Sequence, residues 1–265
     1  MSHKAMNLRA FVRDLDACAH SPWLESHRLR ALGALAIERW NDYAPVKWQP
    51  DLEMPVSRDR RTYRLPMRMS SEDYAAFREI FLYGYYDQDL GQPATILDLG
   101  GYCGYTAVAF SARFPNAQIA AVEPHPGNFA ALTANMKLNN LPVTLVQAAA
   151  TVDDGPVPLF LGGGMTHGLT PTYHSTGGAI TVEGLSIPTI LARLGWSRIS
   201  LLMIVIEGDD ESLFASSPSW LAGVTTIIGE YHGSYQLPEL RADLEPLGFK
   251  VTGLPHPNIF LAVRG

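Results

Sequence analysis

The sequence predicts an α/β fold built on a mostly parallel sheet, and three observations predict it. From residue 93 onward, apolar runs short enough for buried strands alternate with helical patterns, an order that calls for a parallel sheet covered on both faces. The first run, Thr95–Leu99, breaks into a glycine-rich turn and then a helical stretch over 105–114. The last two runs, 248–252 and 259–263, lie close enough along the chain to pair with each other. The expected architecture is a Rossmann-like sheet, mostly parallel with a C-terminal antiparallel hairpin, preceded by an N-terminal helical cap.

The elements follow in order. Leu8, Phe11, Val12 and Leu15 recur at helical spacing, and Ser21-Pro22 is expected to open a second helical stretch containing Leu29, Leu32 and Ile37. Residues 45–69 are richer in Pro, Val and Tyr and predict short strands; Ser70-Ser71-Glu72 then begins a helix expected to run to about Tyr83. These give a cap region over 1–92 and a larger domain over 93–265. In the larger domain the expected strands are 95–99, 118–122, 143–147, 201–206 and 225–230. Helical patterns at Pro126–Leu138 and 238–247 fall between them and the final hairpin. No internal repeat or low-complexity tract is visible.

With 265 residues, 47% hydrophobic and 17% charged, the chain can bury a large core, which excludes a disordered class. A net charge of -6 and a pI near 5.7 leave no basic stripe, so no nucleic-acid partner is expected. Cys18 and Cys103 stand far apart without metal-ligand spacing, and no apolar signal segment opens the sequence. The longest apolar run, over 199–206 and broken only by Ser200, falls far short of the ~20 residues that span a bilayer. The expectation is a cytoplasmic protein with free thiols and no membrane association.

The most informative stretch is Asp98-Leu-Gly-Gly-Tyr-Cys-Gly104, a strand end followed by a turn through Gly100, Gly101, Tyr102 and Gly104. A second apolar run ends in Glu123, near the ~20-residue spacing at which an acidic residue meets ribose hydroxyls. A dinucleotide fingerprint counted from Gly100 requires glycines where Tyr102 and Tyr105 stand, and counted from Gly101 it meets Cys103 and Thr106. The spacing that fits is D-x-G-x-x-x-G. A carboxylate ahead of the turn repels a pyrophosphate and suits a cationic ligand. S-adenosylmethionine, with an ammonium, a sulfonium, a ribose and no phosphate, is such a ligand. The competing explanation is the glycine-rich turn of an ordinary α/β protein.

Four blocks in order resemble the FkbM-type S-adenosylmethionine-dependent methyltransferases, over about residues 70–255. They are Asp98-Leu-Gly-Gly-Tyr-Cys-Gly-Tyr105, Glu123-Pro-His-Pro-Gly-Asn-Phe129 with Leu132 and Asn135, Leu202-Met-Ile-Val-Ile-Glu-Gly208, and Ile227-Ile-Gly-Glu-Tyr-His232. The resemblance implies a class I methyltransferase sheet in which Asp98, Gly100 and Gly104 hold the methionine end of the cofactor and Glu123 the ribose. It also implies that backbone near Ala148 and Ala149 faces the adenine, with Pro124 and Phe129 available to pack against it. The chain departs from the family at Met203, where Lys is usual, and at Val205, where Asp is usual. That leaves Glu207 as the carboxylate expected to face the cofactor's cationic end, on the same strand side as Val205.

Methyl transfer from a sulfonium is an in-line displacement, and positioning alone supplies ~7–11 kcal/mol. A hydroxyl acceptor also needs a base, worth roughly 100- to 10,000-fold. Glu230 and His232, two apart, are expected to share a strand face, with His232 as base and Glu230 fixing its tautomer. His167, in a glycine-rich insertion (162–168) between two expected strands, is the next candidate, as part of a lid, the alternative being a plain mobile hairpin; His174 is similar, and His125, before Pro126, reads as structural. Asp209, Asp210 and Glu211 suit either a metal or a helix dipole, and no metal is expected. Tyr85 and Tyr86 read as cofactor cover or cap anchors. The leading function is O-methylation of a small molecule, a sugar or secondary metabolite as in the family. The alternatives are N-methylation of an amine and a cofactor-binding protein that no longer methylates. The expected partner is the small-molecule substrate, with homodimer formation left open.

Overall fold

The glycine turn lies in the middle of a seven-stranded sheet in the computed structural model, which describes residues 3–43, 52–68, 71–161, 167–169, 178–206, 210–215, 218–256 and 258–265. The chain divides into two units, Met1–Asp87 and Gln88–Gly265.

In the first unit, helices α1 (His3–His20) and α2 (Arg28–Tyr43) precede a hairpin of β1 (Leu52–Arg58) and β2 (Arg61–Met67), paired from Leu52 with Met67 to Arg58 with Arg61. Tyr63, Leu65 and Met67 of β2 are buried and alternate with exposed neighbours, the pattern of a strand with one wet face. The second helix does not open at Ser21-Pro22. The Ser21 hydroxyl donates to the Phe81 carbonyl (2.5 Å) and accepts from the Trp23 amide (3.2 Å), holding a turn that buries Trp23 and Leu24 and delays the helix to Arg28. The helix expected to reach Tyr83 stops at Phe77: α3 (Ser71–Phe77) widens into a π-helical turn over Arg78–Leu82, closed by the Tyr83 amide on the Arg78 carbonyl (2.7 Å). That wider pitch buries Ile80, Phe81 and Leu82 in succession.

In the second unit, β3 (Thr95–Leu99), β4 (Gln118–Val122), β5 (Val143–Val146), β10 (Ile199–Ile204), β11 (Val224–Glu230), β12 (Phe249–Gly253) and β13 (Ile259–Arg264) form the sheet, in the order β12-β13-β11-β10-β3-β4-β5. All neighbours from β11 to β5 run parallel, and β13 is antiparallel to both β11 and β12. Helices α4 (Tyr105–Arg113), α5 (Pro126–Leu138), α6 (Ile187–Leu194), α7 (Asp210–Phe214) and α8 (Leu237–Leu244) occupy the connections. Burial on both faces explains why the strands read as continuous apolar runs: Ile96, Leu97, Leu99, Leu201, Leu202 and Ile204 are all fully buried. The last helix is shorter than the expected 238–247, because Pro246 lacks the amide to continue it and the chain tightens into a 3-10 turn over Glu245–Leu247.

A second, four-stranded sheet lies between β5 and β10, where the sequence led us to expect two strands around a glycine-rich insertion but no separate sheet. It comprises β6 (Ala149–Thr151), β7 (Gly155–Leu161), β8 (His167–Gly168) and β9 (Ala179–Ser186), in the order β6-β9-β7-β8. Only β6 and β9 pair in parallel. Among the described residues no helix is long and apolar enough to cross a membrane.

Sheet order reverses on either side of β3, with β4 on one side and β10 on the other, so the carboxyl ends of these strands frame a crevice where open α/β sheets take their ligands. Gly100 stands there with φ +85°, and a Cβ at that position would lie 1.8 Å from the Val205 carbonyl oxygen. Gly100→Ala is expected to cost on the order of 3 kcal/mol or more, since both the backbone conformation and a backbone atom oppose it. Gly33→Ala, on the exposed face of α2 with open space around it, is expected to stabilise by about 0.5–1 kcal/mol. Urea unfolding of the two variants checks both signs.

Candidate active site

The site is built from strand ends. Beyond Leu99, the amides of Gly100 and Gly101 both donate to the Val122 carbonyl at the end of β4 (3.0 and 2.9 Å), tying the turn to the neighbouring strand. Tyr102 follows with φ +48°, and Gly104, at φ +89°, caps α4; a Cβ on Gly104 would lie 2.6 Å from Leu132 of α5. The turn therefore presses against α5 so closely that only glycine fits.

Glu123, one residue past β4, is buried and reaches back to this turn. Its Oε2 accepts from the Tyr102 amide and its Oε1 from the His125 amide, each at 2.9 Å. Sequence spacing assigned Glu123 to a ribose diol; in the structure its carboxylate also clamps the glycine turn. Helix α5 supports both parts. The Asn128 side chain hydrogen-bonds Glu123, and Asn135, two turns further along the helix, donates to the Cys103 carbonyl (2.7 Å). His125 has the structural role expected of it, its Nδ1 accepting from the Asn128 amide (3.3 Å) as the N-cap of α5.

Asp98 is buried at the end of β3. Its Oδ2 accepts from the Thr106 hydroxyl (2.6 Å), and its Oδ1 has no hydrogen-bond partner among the described residues. Burial raises the Asp98 carboxyl to about 6 against the pull of the Thr106 bond. Burial likewise raises Glu123 to about 7, opposed by its bonds from His125, Tyr102 and Asn128 and assisted by the nearby charge of Asp98. Two desolvated acids with an unfilled acceptor, beside a turn with no room for a side chain at Gly100 or Gly104, suit a small ligand carrying positive charge and hydroxyl donors.

The other expected cofactor residues are placed as follows. Pro124 is half-buried between Glu123 and the cap of α5. Ala149 is buried and opens β6, its backbone paired with Gly184 of β9, so the second sheet begins where adenine was expected. Val205 lies one residue past β10, its amide donating to the Leu99 carbonyl (3.0 Å). Glu207 lies outside the described residues, as does His174; the backbone of His167 pairs with Leu161, and its side chain is outside the described set.

Glu230 and His232 meet, one as the last residue of β11 and the other two residues past it. The Tyr231 amide between them donates to the Asn258 carbonyl (2.9 Å), which continues the register of β11 against β13. His232 Nε2 stands 3.7 Å from Glu230 Oε2, and Glu230 Oε2 also accepts from Asn258 Nδ2 (3.1 Å). On the opposite ring edge Nδ1 is 3.5 Å from Oδ1 of Asp210, a buried carboxylate that the sequence reading assigned only to a metal or a helix dipole. No cluster of three or more metal-ligating side chains occurs among the described residues. The glycine turn, Glu123 and the His232 cluster all lie at the carboxyl edge of one sheet.

The strand order, with β13 as the antiparallel member, is that of the class I methyltransferase sheet. No protein-family model matches the chain, and no curated protein matches it. Solved structures are similar to it at low identity. Methyltransferase FkbM from Methylobacillus flagellatus KT is 15% identical, with 64% of this chain and 43% of that one covered and a TM-score of 0.46. Precorrin-6y C5,15-methyltransferase from Geobacter metallireducens GS-15 is 15% identical, with 66% and 81% covered and a TM-score of 0.42. The N-terminal domain of human METTL16, in complex with SAH, is 13% identical, with 91% and 82% covered and a TM-score of 0.42. The chain thus spans less than half the length of the first of these. The fold assignment rests on the strand order rather than on these likenesses.

The raised acids give a pH dependence of definite sign. Between the ordinary carboxyl values of 3.8 and 4.5 and the folded values of about 6 and about 7, the native state holds protons that the unfolded chain has released. The stability contributed by these groups is therefore complete below about pH 4 and is lost as pH rises to about 7. Denaturant midpoints of the ligand-free protein should fall over that window, and Glu123→Gln should flatten the upper half of the fall.

Proposed function

We propose that this chain is an S-adenosylmethionine-dependent methyltransferase acting on a hydroxyl of a small molecule. One observation carries the cofactor reading: Asp98 and Glu123, both buried, lie beside a turn that admits no side chain at Gly100 or Gly104, and Asp98 Oδ1 has no hydrogen-bond partner among the described residues. An ammonium or sulfonium and a ribose diol answer these acids, whereas a pyrophosphate would meet two carboxylates and be repelled. When bound, this cofactor supplies a methyl group on a sulfur that leaves readily.

The chain's own residues do the rest. The turn from Gly100 to Gly104 brings backbone close to the ligand, Asp98 offers an acceptor to its cationic end, and Glu123 offers one to its diol. His232, held at the same sheet edge between two carboxylates, takes the proton of the acceptor hydroxyl as the acceptor oxygen bonds to the methyl carbon. A hydroxyl requires that proton transfer, and the His232 cluster is what favours it over an amine whose neutral form needs no base.

Calorimetry should show S-adenosylmethionine and S-adenosylhomocysteine binding and no binding of NAD. Glu123→Ala should weaken cofactor binding by about 1.5–3 kcal/mol, the scale of a hydrogen bond to a charged group. With a panel of hydroxylated metabolites and mass detection of methylated product, His232→Ala should lower turnover roughly 100-fold or more. Its cofactor affinity should stay within about threefold, which is under 1 kcal/mol. NAD binding would remove the cofactor reading, and an unimpaired His232→Ala enzyme would remove the base.

A further inference from the structure

Asp210, which the sequence offered only to a metal or a helix dipole, brings its carboxylate to His232 at two points. Oδ2 accepts from the His232 backbone amide (3.3 Å), and Oδ1 stands 3.5 Å from ring Nδ1, at ion-pair distance without an aligned hydrogen bond, so one group faces both the backbone and the ring of one residue. Asp210 is 1% exposed, and its Oδ1 has no hydrogen-bond partner among the described residues. A buried carboxylate oxygen in that condition is costly unless a donor faces it. The ring atom that faces it is Nδ1.

The other ring edge differs. Glu230 is more exposed than Asp210, its side chain at 16% against 1%, and its Oε2 already accepts from Asn258. Its pull on a ring proton is therefore the weaker of the two. Tyr235, whose amide donates to the His232 carbonyl (3.1 Å), keeps its hydroxyl on Asp243 (2.8 Å). The charges of Asp210 and Glu211 both act on that phenol, whose acidity burial and Asp243 suppress, so Tyr235 stays neutral beside the cluster.

We propose that Asp210 is a positioning residue: it keeps the proton of neutral His232 on Nδ1, so that Nε2 is the atom that accepts the substrate proton, and Glu230 then steadies that proton on Nε2. The proposal rests on the reading of His232 as the base. In the step, the acceptor O–H bond breaks and its proton passes to Nε2. The oxygen's electron pair forms the new bond to the methyl carbon, and the methyl–sulfur pair returns to sulfur, which becomes neutral. The imidazolium that results has a carboxylate facing each ring nitrogen, the arrangement by which an acid orients and supports a histidine base.

The test is nitrogen NMR on the full chain labelled at histidine, with His232→Ala identifying the resonances. In the wild-type protein above the titration of His232, Nδ1 is expected to carry the proton. In Asp210→Asn the imidazole should titrate about one unit or more lower, the shift for loss of an adjacent opposite charge. The acid limb of the turnover profile should move down with it while the KM for S-adenosylmethionine stays unchanged, and Asp210→Glu should recover most of the wild-type titration. A proton on Nε2 in the wild-type protein, or a titration that Asp210→Asn leaves in place, overturns the assignment. The wild-type tautomer decides the matter even if Asp210→Asn does not fold. Normal turnover of His232→Ala would instead remove the base and leave the tautomer measurement to report on Asp210 alone.

Discussion

One backbone contact underlies the whole site: the Val205 carbonyl oxygen occupies the place where any other residue at position 100 would carry its Cβ. Because no side chain intervenes, the chain leaving β3 turns sharply against the end of β10, at the one point in the sheet where neighbouring connections run to opposite sides. The turn is then tied to β4 through Val122, and its Tyr102 amide comes within reach of Glu123. Gly104 repeats the device against Leu132, which brings α5 near enough for Asn128 and Asn135 to serve the acid and the turn from one helix face. Each polar contact in this half of the site presupposes that close approach.

The same geometry forces a compromise. Asp98 and Glu123 are removed from water with no cation acting on them among the described residues, and hydrogen bonds from Thr106, Tyr102, His125 and Asn128 only partly offset the loss. A protein selected for stability alone would place apolar groups there. Local rules broken in one place, while the surrounding strands obey them, mark a region kept for binding rather than for folding. The His232 cluster has the same character: an imidazole with a carboxylate at ion-pair distance from each ring edge, at the end of a strand that carries no charged residue besides Glu230.

What was legible in the sequence follows from how far each signal reaches along the chain. Strand β3, its turn and α5 were readable because burial on both faces leaves unbroken apolar runs, and because Pro126 behind His125 marks a helix start locally. The insertion was legible as two strands around a glycine-rich loop, but not as a separate sheet. Pro156 and Pro158, which have no amide to donate, weaken the strand pattern of β7, and among the described residues β8 pairs with it only at Phe160 and Leu161. The pairing of β6 with β9 joins residues more than thirty positions apart, which no local pattern reports. Glu230 and His232 were legible as a pair two residues apart: the strand ends at Glu230, but the Tyr231 amide keeps the register against Asn258, and the two side chains meet. The part of Asp210 was invisible, since an acid in the first turn of a helix reads the same whether or not an imidazole 22 residues later folds against it.

Strand β13 is the last of the described strands along the chain, yet it lies inside the sheet, hydrogen-bonded to β11 on one side and β12 on the other. During synthesis every other strand of the sheet emerges from the ribosome before it. Until residues 259–264 are free, β11 presents an open, apolar edge to the surroundings, and β12 has nothing to pair with. Completion of the sheet is therefore a late, long-range event rather than a progressive one, and the interval before it is the period in which a nascent chain of this topology most needs protection from pairing with its neighbours.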